Sequence, residues 1–197
     1  MTLVTKQAPN FVSSAILKNN EIIDNFNFKK YIKNNITVLF FWPMDFTFVC
    51  PTEIIEFNKH YNKFKKNNVK IIGVSCDSIY SHYTWKNISI KNGGIGNLNY
   101  IIVSDIKKEI QKSYEIEHPK LGISLRATFL IDSDGIIKHE IVNDLPYGRS
   151  VKEIIRMIDA LNFHKKNGYV CPSDWNNKKK GIHPSTEGLK KYIQNKT

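Results

Sequence analysis

Pro43-Met-Asp-Phe-Thr-Phe-Val-Cys-Pro51 decides how this chain is read. An apolar run, Ile36-Thr-Val-Leu-Phe-Phe41, stands before it. After it, Ile54, Phe57, Tyr61 and Phe64 recur at helical spacing, which predicts a helix over Thr52 to Asn67. Cys50 therefore falls at a strand-to-helix junction, at or near the first helical turn. Unpaired amide groups and the positive end of the helix dipole favour an anion there. Pro51 suits a first helical position, where its missing N–H costs nothing. A thiol in that place is expected to ionise more readily than a free cysteine, and the thiolate is the reactive form.

The spacing points the same way. Thr47, three residues before Cys50, can turn its hydroxyl to the sulfur. Pro43 can screen one side and fix the entering backbone. Glu53, three residues after, is within reach of an arginine brought from elsewhere. An isolated cysteine is more often a buried, inert thiol. The Pro-x-x-x-Thr-x-x-Cys order, flanked by Val49 and Pro51, argues against that here.

The run resembles the peroxiredoxins, specifically the typical two-cysteine group that includes the alkyl hydroperoxide reductase C and thiol-specific antioxidant proteins. The likeness spans nearly the whole chain. It begins at Ala8-Pro9-Asn10-Phe11 and passes through Phe40-Phe41-Trp42-Pro43 and Phe48-Val49-Cys50-Pro51-Thr52-Glu53. Gly73-Val74-Ser75, Gly93-Gly94-Ile95-Gly96, Arg126-Ala127-Thr128-Phe129, Asp132-Ser133-Asp134-Gly135 and Gly148-Arg149-Ser150 follow in order. It closes on Gly168-Tyr169-Val170-Cys171-Pro172 and Trp175.

The resemblance implies a thiol-dependent peroxidase that reduces hydrogen peroxide and organic hydroperoxides. Cys50 is the nucleophile, oxidised to a sulfenic acid, the reversible first step of thiol oxidation. Cys171, in a second Val-Cys-Pro, matches the resolving cysteine, and the family pattern implies a disulfide between subunits. Thr47 and Pro43 line the site. Arg126 opens a predicted strand, Ala127 to Ile131, and its permanent charge and fixed fork suit a thiolate and a transition-state oxygen. Glu53 is expected to orient Arg126 through a bidentate pair, and Arg149 joins them by the resemblance. Arg156 reads as an ordinary solvated side chain and Cys76 as a structural thiol. A homodimer is expected, with rings of five dimers known in the family. The reductant would be thioredoxin, a flavoprotein disulfide reductase or a glutaredoxin, and the oligomer could also serve as a holdase chaperone. Gly93 to Gly96 and Tyr192-Ile193 resemble the pair of motifs that slows resolution in sensitive members. Here the second aromatic is replaced by Ile193, which implies a weaker clamp on the arm.

The 197 residues fit one domain with room for a core. Composition is that of a soluble globular protein, with 41% hydrophobic and 24% charged residues. No apolar run approaches the ~20 residues of a membrane span. The first ten residues lack a secretory h-region, so the cytoplasm is the expected location. Three well-separated cysteines do not make a secreted disulfide scaffold, and no Cys-x-x-Cys or ligand-spaced histidine pair occurs. No cofactor and no metal are expected. The net charge of +11 could attract nucleic acid, but only three of the 29 basic side chains are arginines, so no specific nucleic-acid partner is expected.

Val69 to Ser75 and Tyr100 to Val103 read as further strands, with helical pieces near 80–90 and 106–114. Ala127 to Ile131 and Ile136 to Val142 flank a turn signal. Val151, Ile154, Ile155, Ile158 and Leu161 mark an amphipathic helix. The order gives an α/β layout with a central mixed sheet flanked by helices, and the resemblance makes it thioredoxin-like. Residues 1–167 form the expected peroxidase domain. Residues 168–197 are expected to be a C-terminal arm, closing on a short helix at Leu189 to Ile193.

Overall fold

The computed structural model describes residues 2–194. They fall into two compact units, divided between Val151 and Lys152. In the first, β1 (Val12–Ile16), β2 (Ile22–Asn27) and α1 (Phe28–Ile32) lead to β3 (Ile36–Phe41). Then come α2 (Cys50–Lys59), α3 (Tyr61–Lys66), β4 (Val69–Ser75), α4 (Ile79–Asn87), β5 (Ile101–Ser104) and α5 (Glu109–Ser113). β6 (Arg126–Ile131) and β7 (Ile137–Asn143) complete a seven-stranded sheet in the order β2-β1-β5-β4-β3-β6-β7. β3, β4 and β5 run parallel at its centre, and the other pairings are antiparallel.

The central strands are continuous apolar runs because both their faces are covered. Alternation along β3 sends neighbouring rings to opposite sides. Phe40 stacks on Phe57 of α2 at 4.2 Å, while Phe41 meets Tyr114 and Phe129 at 5.4 and 6.0 Å. Gly73 lies opposite Phe40 in the register. A Cβ there would sit 2.7 Å from the Trp42 ring, so glycine alone leaves room for these two aromatics.

Several expectations shift by local physics. The helix predicted over 52–67 starts at Cys50 and breaks at His60, where ψ is 3°. The apolar spacing does not register the break, because Phe57 and Phe64 still meet at 6.0 Å. Pro51 takes the second helical position, not the first. The strand read at Tyr100 to Val103 moves one residue on. The predicted helical pieces appear as α4, capped by Ser78 on the Ser81 amide, and as α5. Before α5, the buried Asp105 carboxylate accepts from the Ile110 and Gln111 amides. The turn at Asp132 to Gly135 forms as read, with Gly135 at φ +82°.

One packing feature yields a pH test. Lys86 of α4 is 1% exposed, and its Nζ donates to the Leu17 carbonyl at 2.9 Å and less closely to that of Lys18. Burial without a carboxylate partner pulls its pKa down to about 8. In the unfolded chain the ammonium keeps its ordinary value near 10.5. Between the two, the unfolded state binds more protons, so stability rises with pH. Wild-type protein is expected to gain on the order of 2–3 kcal/mol relative to Lys86→Met from pH 8 to 10.5. Denaturant melts across that range measure it. Parallel curves for the two proteins would remove the argument.

The second unit holds α6 (Val151–Asn167), most of which lies after the division, and α7 (Thr186–Gln194). Between them Val170 and Ile182 form a single antiparallel bridge. Trp175 is 1% exposed and packs on Phe163 at 4.7 Å.

Candidate active site

The loop from β3 to α2 is fixed by a buried polar network. Asp45 accepts from Trp42 Nε1 at 2.9 Å and from Ser81 Oγ at 3.1 Å, and lies 2.7 Å from His82 Nδ1. Its own amide donates to Asp77. Asp45 and His82 are 5% and 0% exposed, so these bonds form out of water, where an unmade one is costly. The network holds Trp42 to Thr47 against α4. Phe46 takes a left-handed φ of +55° and lays its ring 5.4 Å from Trp85. A lone aspartate and a lone histidine 37 positions apart carry no motif, so no pattern in the sequence signals this support.

Pro43 is buried, and its carbonyl accepts the Cys76 thiol at 3.3 Å. Burial, aided by the Asp77 charge, pushes the Cys76 pKa up to about 11, so this thiol keeps its proton and acts as a donor. Thr47 Oγ1 stands 2.9 Å from both the Met44 carbonyl and Cys50 Sγ. Its single proton serves one of them at a time.

Cys50 is the first residue of α2, after Val49, whose side chain has no capping oxygen. The sulfur faces the positive end of the helix. Arg126 comes to it from the start of β6. Its NH1 lies 3.3 Å from Cys50 Sγ and 3.0 Å from Glu53 Oε2, and its Nε donates to the Leu145 carbonyl at 2.7 Å. A thiolate would thus accept a hydroxyl and a guanidinium hydrogen bond together. Cys50 is 1% exposed, which leaves access only for a small reactant.

The bidentate pair expected between Glu53 and Arg126 belongs instead to Arg149. Arg149 Nε and NH2 donate to the two Glu53 oxygens at 2.8 Å each, and its backbone N–H adds a third bond at 2.8 Å. NH1 of Arg149 reaches the Ala127 carbonyl and the Thr128 hydroxyl. Arg126 shares one Glu53 oxygen, because its fork is already divided between sulfur, carboxylate and carbonyl. Burial alone would raise the Glu53 pKa. The Arg149 hydrogen bonds and the charges of both arginines outweigh it and hold the carboxyl below its usual value. The three side chains are almost sealed from solvent, so this is no exposed salt bridge of small worth.

Cys171 lies in the second unit, half-buried, with its sulfur 3.7 Å from the Ala160 carbonyl. Burial raises its pKa, and the Arg156 charge opposes the rise. Arg156 is not the freely solvated side chain expected. It forms two 2.7 Å bonds to Glu153 and donates to the Trp175 carbonyl. Among the described residues, no cluster of three or more His, Cys, Asp or Glu could hold a metal ion, and no helix is long and apolar enough to cross a membrane.

Known proteins of similar sequence and architecture are plentiful. The sequence model of the AhpC/TSA family matches residues 4–140, and that of the C-terminal domain of 1-Cys peroxiredoxin matches residues 160–195. Alkyl hydroperoxide reductase C of Buchnera aphidicola subsp. Acyrthosiphon pisum is 61% identical, over 98% of both chains. Thioredoxin-dependent peroxide reductase, mitochondrial, of Drosophila melanogaster is 44% identical, over 96% of this chain and 81% of its own. The reduced 2-Cys peroxiredoxin of Plasmodium vivax superposes with a TM-score of 0.94 at 43% identity, over 98% of this chain and all of that one. The sheet with its flanking helices is therefore the thioredoxin-like fold, and the chain belongs to the AhpC/TSA family of peroxiredoxins.

Proposed function

We propose that this protein is a thiol peroxidase acting on hydrogen peroxide and small organic hydroperoxides, with Cys50 as its peroxidatic nucleophile. The observation that carries the reading is the convergence of the Thr47 hydroxyl and the Arg126 guanidinium on one sulfur at a helix start. The Cys50 thiolate attacks one peroxide oxygen. The O–O bond breaks, and the other oxygen leaves as hydroxide or alkoxide and takes a proton. Thr47 and Arg126 hold the reacting oxygens and offset the charge that grows on the leaving one. Glu53 and Arg149 keep Arg126 in place, and Pro43 shields the sulfur. The covering of Cys50 favours slim substrates.

The sulfenic acid left on Cys50 is closed by Cys171 of a second subunit, giving a disulfide and water. Support for this comes from the second Val-Cys-Pro and from relatives named as 2-Cys peroxiredoxins. The working unit is a homodimer, which the family pattern extends to a ring of five dimers. A protein dithiol returns the disulfide to thiols. The name of the Drosophila relative favours thioredoxin, and that of the Buchnera relative leaves room for a flavoprotein reductase. Three well-separated cysteines, too few for a disulfide scaffold, suit a reducing compartment, the cytoplasm.

A non-reducing gel after one equivalent of peroxide tests the cycle. Wild type is expected to run as a covalent dimer that dithiothreitol reverses, and Cys171→Ser as a monomer. A peroxide-induced dimer of unchanged yield in Cys171→Ser would refute the assignment of Cys171.

A further inference from the structure

Two sulfurs do the chemistry of the proposed cycle, and each has an arginine of its own. The pair at Cys50 belongs to the site already described. The pair in the second unit has no assigned role. There Arg156, one turn after Glu153 on α6, is gripped by that carboxylate through Nε and NH2 at 2.7 Å each. Such a two-point hold fixes the guanidinium plane. Its NH1 then donates to the Trp175 carbonyl at 2.9 Å. Trp175, four residues beyond Cys171, has its ring buried on Phe163 and its amide bonded to the Pro172 carbonyl. The turn that bears Cys171 is thus tied to α6 at both ends. The Cys171 sulfur approaches the Ala160 carbonyl, and the Arg156 fork holds the Trp175 carbonyl.

We propose that Arg156 is the positioning residue of the second sulfur: anchored by Glu153, it holds the Cys171–Trp175 turn and lends its positive charge to the Cys171 thiolate as the disulfide closes. The inference rests on the reading of Cys171 as the resolving cysteine. In that step the Cys171 thiol gives up its proton. Its sulfur then displaces hydroxide from the Cys50 sulfenic sulfur, and the two leave as water. Peroxide has already supplied the oxidation. Burial works against the deprotonation, and the Arg156 charge works for it. Charged groups around the turn include Glu153, Arg156, Asp159 and His164 on α6, Asp159 accepting from Asn177, and Asp174, Lys179 and His183 on the arm. Asp174 acts on Arg156, Lys179 bonds the Asp174 carbonyl, and the His164 and His183 rings engage Tyr169.

Two readouts test the proposal. Single-turnover mixing with peroxide separates Cys50 oxidation from disulfide closure. Iodoacetamide alkylation across pH, in a Cys50→Ser/Cys76→Ser background, reports the Cys171 thiolate alone. Arg156→Gln keeps a donor for the Trp175 carbonyl and removes the charge. It is expected to move the alkylation midpoint up by about one pH unit and slow closure about tenfold, in step with the thiolate fraction. Cys50 oxidation is expected to proceed at the wild-type rate. Arg156→Lys keeps the charge and should restore most of the midpoint. Glu153→Gln leaves the arginine charge uncompensated and should move the midpoint down, which keeps the test decisive if Arg156→Gln loosens the arm. An alkylation midpoint unmoved by Arg156→Gln and by Glu153→Gln overturns the proposal. Failure of wild type itself to form a Cys171-dependent disulfide would instead overturn the reading of Cys171.

Discussion

Replacing Cys50 by serine is expected to lower the rate of hydroperoxide reduction by a factor on the order of 10⁴ or more, to the level of buffer with reductant. The substitution changes one atom. Serine keeps the size of the side chain, its place at the start of α2 and its ability to accept from Thr47 and Arg126. It lacks a soft, polarisable sulfur nucleophile that can take oxygen from a peroxide. Stopped-flow peroxide consumption with dithiothreitol as reductant measures the loss, and circular dichroism checks that the fold persists. Activity within tenfold of wild type in a folded Cys50→Ser protein would remove Cys50 as the reacting group. The thiol at position 76, held protonated on the Pro43 carbonyl, is not a substitute.

Arg126→Gln should slow Cys50 oxidation by about 10²–10³-fold, the usual cost of losing a preorganised donor to a developing negative charge. Glutamine removes the cation beside the sulfur, although Thr47 still reaches it. Glu53 stays paired with Arg149 through three hydrogen bonds, so the variant is expected to fold. Arg126→Lys should recover only part of the rate. A lysine has one nitrogen, whereas the arginine serves sulfur, carboxylate and the Leu145 carbonyl at once. Rapid-mixing kinetics of the first oxidation, followed separately from disulfide closure, give the number. Full rescue by lysine would show that charge alone matters and that the fork geometry does not.

How much of this was legible in the sequence follows from how local each feature is. β3, β4 and the β6–β7 turn announce themselves as apolar runs and as Asp-Ser-Asp-Gly, because buried central strands leave no freedom of composition. The hairpin of β1 and β2 carries no such signal. Its residues, Val-Ser-Ser-Ala-Ile and Ile-Ile-Asp-Asn-Phe-Asn, mix polar and apolar without strict alternation, and β2 lies at the sheet edge. At the site, Thr47, Cys50 and Glu53 are separated by threes and meet around one helix start, so spacing alone gathered them. Arg126 and Arg149 are 73 and 96 residues from Glu53, and the resemblance, not periodicity, brought them in. Which arginine grips Glu53 with both nitrogens depends on side-chain geometry that no pattern encodes. The Asp45–His82 support is further from view, since neither residue belongs to a repeat or a spaced pair.

The cluster around Glu53 has a consequence for what oxidation does to the molecule. Two guanidinium groups share a single carboxylate, so a thiolate at Cys50 would bring the sealed region to neutrality. Sulfenic or disulfide sulfur bears no such charge. Oxidation of such a thiolate would leave one cation away from water, where solvation compensates it poorly. The state of one sulfur thus sets the charge balance around the opening turn of α2.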